Sequence, residues 1–151
     1  EKMSNKAVGN SFEKQFAGLL ANHWFWVHIF QDNKNGQPCD IIAARSGNVY
    51  LFDCKNCEEA FFRLDRLEEN QVNAMKLFHI TGNGKGMFAI QFPGNKIYLL
   101  TLERLQELEK AGFKRINETV CRTQGVTLEG WLNSLEDAKE WGDYHGIDDW
   151  K

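Results

Sequence analysis

Apolar residues change their spacing several times along the chain, and each change predicts an element. Between residues 4 and 23, Phe12, Phe16, Leu19, Leu20 and His23 recur every three or four positions, which predicts an amphipathic helix with one buried stripe. Glu13 stands at the border of that stripe. The run "WFWVHIF", residues 24–30, is dense in aromatic and branched side chains and predicts a strand, and "DNKNGQP" after it is a turn-rich loop. Residues 39–44 and 49–55 predict two more strands joined through "RSGN" as a hairpin. Residues 62–79 predict a second helix, with Leu64, Leu67, Met75 and Phe78 on one face and Gln71 in the middle of it. A polar side chain in that place needs a buried partner. After the break at "GNGKG", "MFAIQF" and "KIYLL" predict two strands around a Pro-Gly turn, followed by a short amphipathic helix over 102–111. Beyond Gly112 the pattern weakens to irregular or short-strand structure and then a helix from about Leu128.

The order αβββαβ is an α/β arrangement, and 151 residues with 42% hydrophobic content favour a single domain, 1–151, with its core over about 4–111 and a C-terminal extension over about 112–151. A formal net charge of -3 and a pI near 5.8 count against a simple basic DNA-coating protein. The acidity is uneven: residues 134–151 carry six acids against two lysines, and such a tail either is solvated or covers a basic groove. No signal-peptide region or membrane-length apolar run is visible, so a reduced, cytoplasmic setting with no membrane partner is expected, and the four cysteines fit it. "CKNC" has no second pair or histidine pair at ligand spacing, which leaves zinc or redox chemistry poorly supported; Cys54 and Cys57 read better as small apolar residues.

Chemistry enters with "QPCDIIAARSGNVYLFDCKN", residues 37–56. A period-two strand turns Asp53 and Lys55 to one side and Cys54 to the other, so one face of an apolar strand carries both charges. Burying them costs desolvation energy unless they are paired or hold a metal. Asp40 starts the neighbouring strand of the same hairpin, and it comes within reach of a shared ion if it faces the same side. Mg²⁺ takes one or two carboxylates plus waters and phosphate oxygens, a demand that Asp40 and Asp53 meet, with the Cys54 backbone carbonyl as a further oxygen. Lys55 could then orient or deprotonate a water, or neutralise charge on a phosphoryl group, and Glu13 could hold a metal-bound water or a second ion. The bland alternative is a solvated Asp–Lys pair on an edge strand, worth little.

"PCD", twelve residues, then "DCK" resembles the PD-(D/E)xK nuclease signature, and the element order is similar to that superfamily's restriction-endonuclease-like core, a mixed central sheet flanked by helices. Within it the chain most resembles Holliday junction resolvases, especially the RecU type of Gram-positive bacteria and their phages, over residues 9–105. The likeness runs through "GNSFEKQF", "FRLDRLEENQVNAM" and "GMFAIQFPGNKIYLLTLERL", with a weaker echo in "GVTLEGWL". It implies Asp40 and Asp53 as metal ligands, Lys55 as the catalytic lysine, Glu13 as the helix carboxylate and Gln71 as a supporting polar residue. It also implies Mg²⁺, with Mn²⁺ able to substitute, and a homodimer cutting branched DNA, such as a four-way junction, in a bacterial or phage-infected cell.

The chain departs from that pattern twice. Asp53 stands where RecU and archaeal-type resolvases usually carry glutamate, and the span from the first helix to Asp40 is too short for the stalk that RecU proteins place at the junction centre. A restriction-like or general repair nuclease on flap or linear DNA, and a non-catalytic DNA-binding module, are the rival readings. Lys14, Lys34, Arg63, Arg66, Lys76 and Lys85 are candidate phosphate contacts, each individually better read as a solvated surface charge. The "WFW" cluster could stack on unpaired bases, although core or dimer-interface packing is the expected role of such aromatics.

Overall fold

The computed structural model describes residues 5–31 and 38–137. Helix α1 (Asn5–Ala21) leads into β1 (Trp26–Ile29), β2 (Ile41–Arg45) and β3 (Asn48–Asn56). Then come β4 (Phe61–Arg63), α2 (Glu69–Ile80), β5 (Met87–Phe92), β6 (Lys96–Thr101) and α3 (Leu102–Lys110). The last described elements are β7 (Arg115–Asn117), α4 (Glu118–Gln124), β8 (Val126–Thr127) and α5 (Leu128–Asp137). Six strands form one sheet in the order β1-β2-β3-β5-β6-β8, and β4 pairs with β7 separately. Only the central β3–β5 pair of the six-stranded sheet is parallel, which makes the sheet mixed. The predicted α/β class, a mixed sheet flanked by helices, is the fold observed.

Two apolar layers enclose the sheet. On one face, Phe12, Phe16 and Leu20 of α1 and Leu128 and Leu132 of α5 meet Ile41, Ala43, Phe52, Ala89 and Leu99. On the other, Met75 of α2, Leu102, Leu105 and Leu108 of α3 and Cys121 of α4 meet Leu51, Phe88, Ile90 and Leu100. Phe16 is fully buried, and its ring meets Phe52 edge to face at 5.0 Å. Phe16→Ala is expected to cost about 3–5 kcal/mol, because little around so dense a cluster can collapse into the void. A lowered urea midpoint with an unchanged slope would show it.

The β2–β3 hairpin closes as predicted: Arg45 pairs with Asn48, and Ser46 and Gly47 both take positive φ (53° and 78°), the turn whose twist matches its strands. Three expectations are corrected. The strand expected over 24–30 begins only at Trp26, because the end of α1 uses Trp24 and Phe25 for its cap. Trp24 N–H donates to the Ala21 carbonyl and Phe25 N–H to the Leu20 carbonyl, with Trp24 left-handed at φ 68°, a place usually given to glycine. Nor is the helix expected over 62–79 helical from its start. Residues 61–63 are β4, held against β7, a 3₁₀ turn follows over Leu64–Arg66, and the Leu64 N–H goes to the Lys114 carbonyl. Pairing with a strand some fifty residues away overrides local periodicity there. The third correction is α4, where irregular or strand structure was expected; Asn117 caps it by accepting from the Val120 N–H at 3.0 Å.

Candidate active site

β3 runs through the middle of the sheet, and its alternation delivers Asp53 and Lys55 to the face that α2 covers. Their parallel neighbours Phe88 and Ile90 belong to the apolar layer on that side. Asp53 is fully buried and Lys55 nearly so. Lys55 Nζ stands 3.0 Å from Asp53 Oδ2, and Gln71 closes a triangle with the pair. Gln71 Nε2 donates to Asp53 Oδ1 at 2.7 Å, while Gln71 Oε1 accepts from Lys55 Nζ at 3.2 Å. The buried partner that Gln71 required is therefore the Asp53–Lys55 pair itself.

Asp40 arrives differently from the expectation. β2 begins at Ile41, two residues later than expected, and Asp40 sits at the irregular lead-in to it. Its main chain is still fixed on both sides, donating to the Phe52 carbonyl at 3.1 Å and accepting from Phe30 N–H at 2.8 Å. Its side chain then enters the ladder: Asp40 Oδ2 accepts the Cys54 N–H at 2.7 Å. That bond turns the carboxyl of Asp40 against that of Asp53, close enough for the two to hydrogen-bond.

Burial first, and the neighbouring Asp40 charge and hydrogen bond after it, push the Asp53 carboxyl well above the usual carboxylate range, against the lowering pull of Lys55. Two carboxyls in contact resist being ionised together unless a cation lies between them. Asp53 Oδ2 is buried and faces the Lys55 ammonium. The pair of carboxylates and the adjacent Cys54 main chain are the hard-oxygen donor set that a small divalent cation takes.

Glu13 lies half-buried on α1, and its charge helps to hold the Cys54 thiol up, after burial and the charges of Asp40 and Asp53. It therefore approaches from the α1 side of β3. Among the described residues no group of three or more His, Cys, Asp or Glu converges to hold a metal ion. Asp40 and Asp53 are the two carboxyls that this geometry brings together.

The remaining sequence-named residues scatter. Lys14 and Lys76 are exposed on α1 and α2. Arg63 pairs with Asp65 at 2.6 Å, and Lys85 pairs with Glu103. Arg66 donates to the Asn56 carbonyl at 3.1 Å and lies over the Phe62 ring at 5.4 Å, so it braces the end of β3. Lys34 and most of the acidic tail lie outside the described residues. Cys57 is packed in the core beside Arg66, and burial pushes the Cys121 thiol up to about 12, which leaves it inert. A cavity of about 790 Å³ lined by Phe61, Arg63, Phe113, Lys114 and Arg115 was not anticipated, and it lies away from the carboxylate cluster. Its sequence signal is the "FKR" run just past α3.

Comparison with known proteins bears on the family and the fold. A model of the family described as archaeal Holliday junction resolvase (Hjc) matches residues 4–140. The crossover junction endodeoxyribonuclease Hjc of Methanocaldococcus jannaschii is 29% identical over 92 residues, 60% of this chain and 64% of that protein's length. The match thus spans a little under two thirds of the curated relative. Among solved structures, Hjc of Archaeoglobus fulgidus, a Holliday junction resolvase from an archaeal hyperthermophile, shares the fold. Its TM-score is 0.64 at 19% identity, covering 82% of this chain and 99% of that one. The motif, the mixed sheet and the family match lead to one conclusion: this chain belongs to the archaeal Holliday junction resolvase (Hjc) family, with its PD-(D/E)xK-type nuclease fold.

Proposed function

We propose that the protein is a divalent-metal-dependent endodeoxyribonuclease that cuts branched DNA, with the four-way junction as its substrate. One observation carries the reading: two carboxyls, Asp40 and Asp53, are held in contact inside the protein, beside a lysine and a glutamine that both bond to Asp53. Family membership supports it, as do the names of the relatives, a crossover junction endodeoxyribonuclease and a Holliday junction resolvase.

Asp40 and Asp53 would hold the cation, with the Cys54 carbonyl as a further oxygen and Glu13 acting through a water. Mg²⁺ suits the two-carboxylate set best and Mn²⁺ should substitute. When bound, the cation supplies Lewis-acid stabilisation of the phosphoryl oxygens and a more acidic water. Lys55 places an ammonium where negative charge develops on the phosphoryl group and orients the attacking water through an N–H donor. Gln71 fixes Lys55 and Asp53 relative to one another through both ends of its amide. Asp40 is oriented in turn by the Cys54 N–H.

A single nuclease domain working as a homodimer follows from the symmetry of a four-way junction, since paired cuts need two sites. The finer likeness to RecU rests on the sequence runs alone, and the short connection from α1 to Asp40 favours a stalkless, archaeal-type engagement of DNA. A cytoplasmic place in a bacterial or phage-infected cell goes with the same reading. The test is cleavage of a labelled four-way junction beside matched duplex, flap and single-stranded DNA, with Mg²⁺, Mn²⁺ or EDTA. Paired symmetric nicks on the junction alone, absent in EDTA, are expected. Metal-dependent cutting of flap or linear DNA would replace the substrate, and binding without cutting would leave only a DNA-binding module.

A further inference from the structure

Side chains of β1 alternate between the two faces of the sheet. Val27 and Ile29 pack into the α1 layer, while Trp26 and His28 are exposed on the opposite side, and Phe30 continues their row into the α2-side layer. That opposite side is the face of Asp53 and Lys55. α1 packs on β1 and β2 from behind, whereas α2 rests on β3 and α3 on β6, so the described helices leave the β1–β2 end of the front face open. Ile42 and Ala44, which pair with His28 and Trp26, form its half-buried floor.

The three rings are ordered. The Trp26 and His28 planes are nearly parallel, 17° apart with centroids at 6.5 Å, and Phe30 meets His28 edge-on at 5.6 Å. The row ends at the candidate catalytic cluster, because the Phe30 N–H donates to the Asp40 carbonyl. Trp26 is 64% exposed, which is unusual for the largest apolar side chain. One face of its indole looks toward His28 and the other is available to a flat partner.

We propose that Trp26, backed by His28 and Phe30, is a stacking platform for an unpaired base of the DNA substrate. This rests on the nuclease reading above and deepens it, since the aromatic row lies on the Asp53–Lys55 face of the sheet and ends beside Asp40. Trp26 and Phe30 are four residue steps apart, about 13 Å or roughly four stacked-nucleotide steps. A duplex base already has stacking partners on both sides, so the platform selects bases freed near a branch point or in a single strand. Indole stacking tolerates any base, which gives structure selectivity without sequence selectivity.

The test is equilibrium binding in EDTA, so that nothing is cut, of full-length wild type, Trp26→Ala and Trp26→Phe to a four-way junction, to single-stranded DNA and to matched duplex, with solution mass measured alongside. Trp26→Ala is expected to weaken junction and single-strand binding about tenfold, to leave duplex binding within about twofold, and to be largely rescued in Trp26→Phe. The side chain is surface-exposed, so folding should survive both changes. Equal weakening on all three DNAs, or no weakening, would overturn the platform. So would a fall in solution mass in Trp26→Ala, which would make this edge a contact between copies. Wild type that binds none of the DNAs would overturn the nuclease reading together with the platform, so the two failures are distinguishable.

Discussion

Asp53→Asn is expected to reduce metal-dependent strand cleavage by at least about 10³-fold, beyond the 10–100-fold typical of residues that merely support a metal ligand. The same substitution should change how stability depends on pH. Asp53 is buried against Asp40, and burial above all raises its carboxyl well above the ordinary range. In the metal-free protein the native state therefore keeps a proton that the unfolded chain releases from about pH 3.9 upward. The native state binds more protons in that window, so stability is greatest below it and falls as pH climbs through the raised native value. Asparagine has no proton to lose, and in EDTA its stability should be flatter with pH than that of wild type. At neutral pH a divalent cation should recover stability for wild type, by about 2.7 kcal/mol at a hundredfold excess over its dissociation constant. The asparagine variant should gain much less. Urea midpoints from pH 4 to 8, with EDTA and with Mg²⁺, check both expectations. A variant with the wild-type pH slope and the wild-type metal response would remove Asp53 from the metal site.

The sequence carried this pair because a strand's period is rigid. Once 48–56 is a strand, Asp53 and Lys55 must share a face, whatever lies around them. Gln71 was legible for the same reason in helical form, even though the expected helix began too early. The misplaced turn holds Leu64 and Leu67, while Gln71 and Met75 lie inside α2 proper. Asp40 was legible as a residue but not as a conformation. Its carboxylate replaces a strand partner for the Cys54 N–H, a contact between residues fourteen apart that no periodicity encodes. The β4–β7 pair escaped notice because three-residue strands have almost no pattern, and their partner is set by the packing of everything between. The aromatic run shows the opposite weakness. "WFW" reads as packing, and Phe25 is indeed buried, but the exposure of Trp26 depends on which part of the sheet α2 and α3 reach. Local sequence fixes which face a ring takes; whether anything covers that face is a property of the whole fold.

Lys55→Met keeps the length and apolar stem of the side chain and removes only the ammonium, so it isolates the charge. The Lys55 side chain is 10% exposed, and its Nζ sits between Asp53 Oδ2 at 3.0 Å and Gln71 Oε1 at 3.2 Å. Two consequences should separate. Loss of a cation at the developing phosphoryl charge should lower the cleavage plateau by about 10²–10³-fold at saturating metal. Loss of the group that opposes the raised proton affinity of Asp53 should also make that proton harder for a metal to displace. The acid limb of the pH–rate profile should therefore move to higher pH, and half-saturation by Mg²⁺ near neutrality should need more metal. Single-turnover cleavage of a four-way junction from pH 6 to 9, across a Mg²⁺ titration, reads both effects in one experiment. A lowered plateau with an unmoved acid limb would mean that Lys55 acts only on the phosphoryl group. A moved limb with the plateau intact would mean that it acts only by tuning Asp53. Gln71 links the two roles, because its amide is oriented by the ammonium on one end and the carboxylate on the other; once Lys55 is gone, only the carboxylate holds it, and Asp53 becomes the less well positioned partner of the metal.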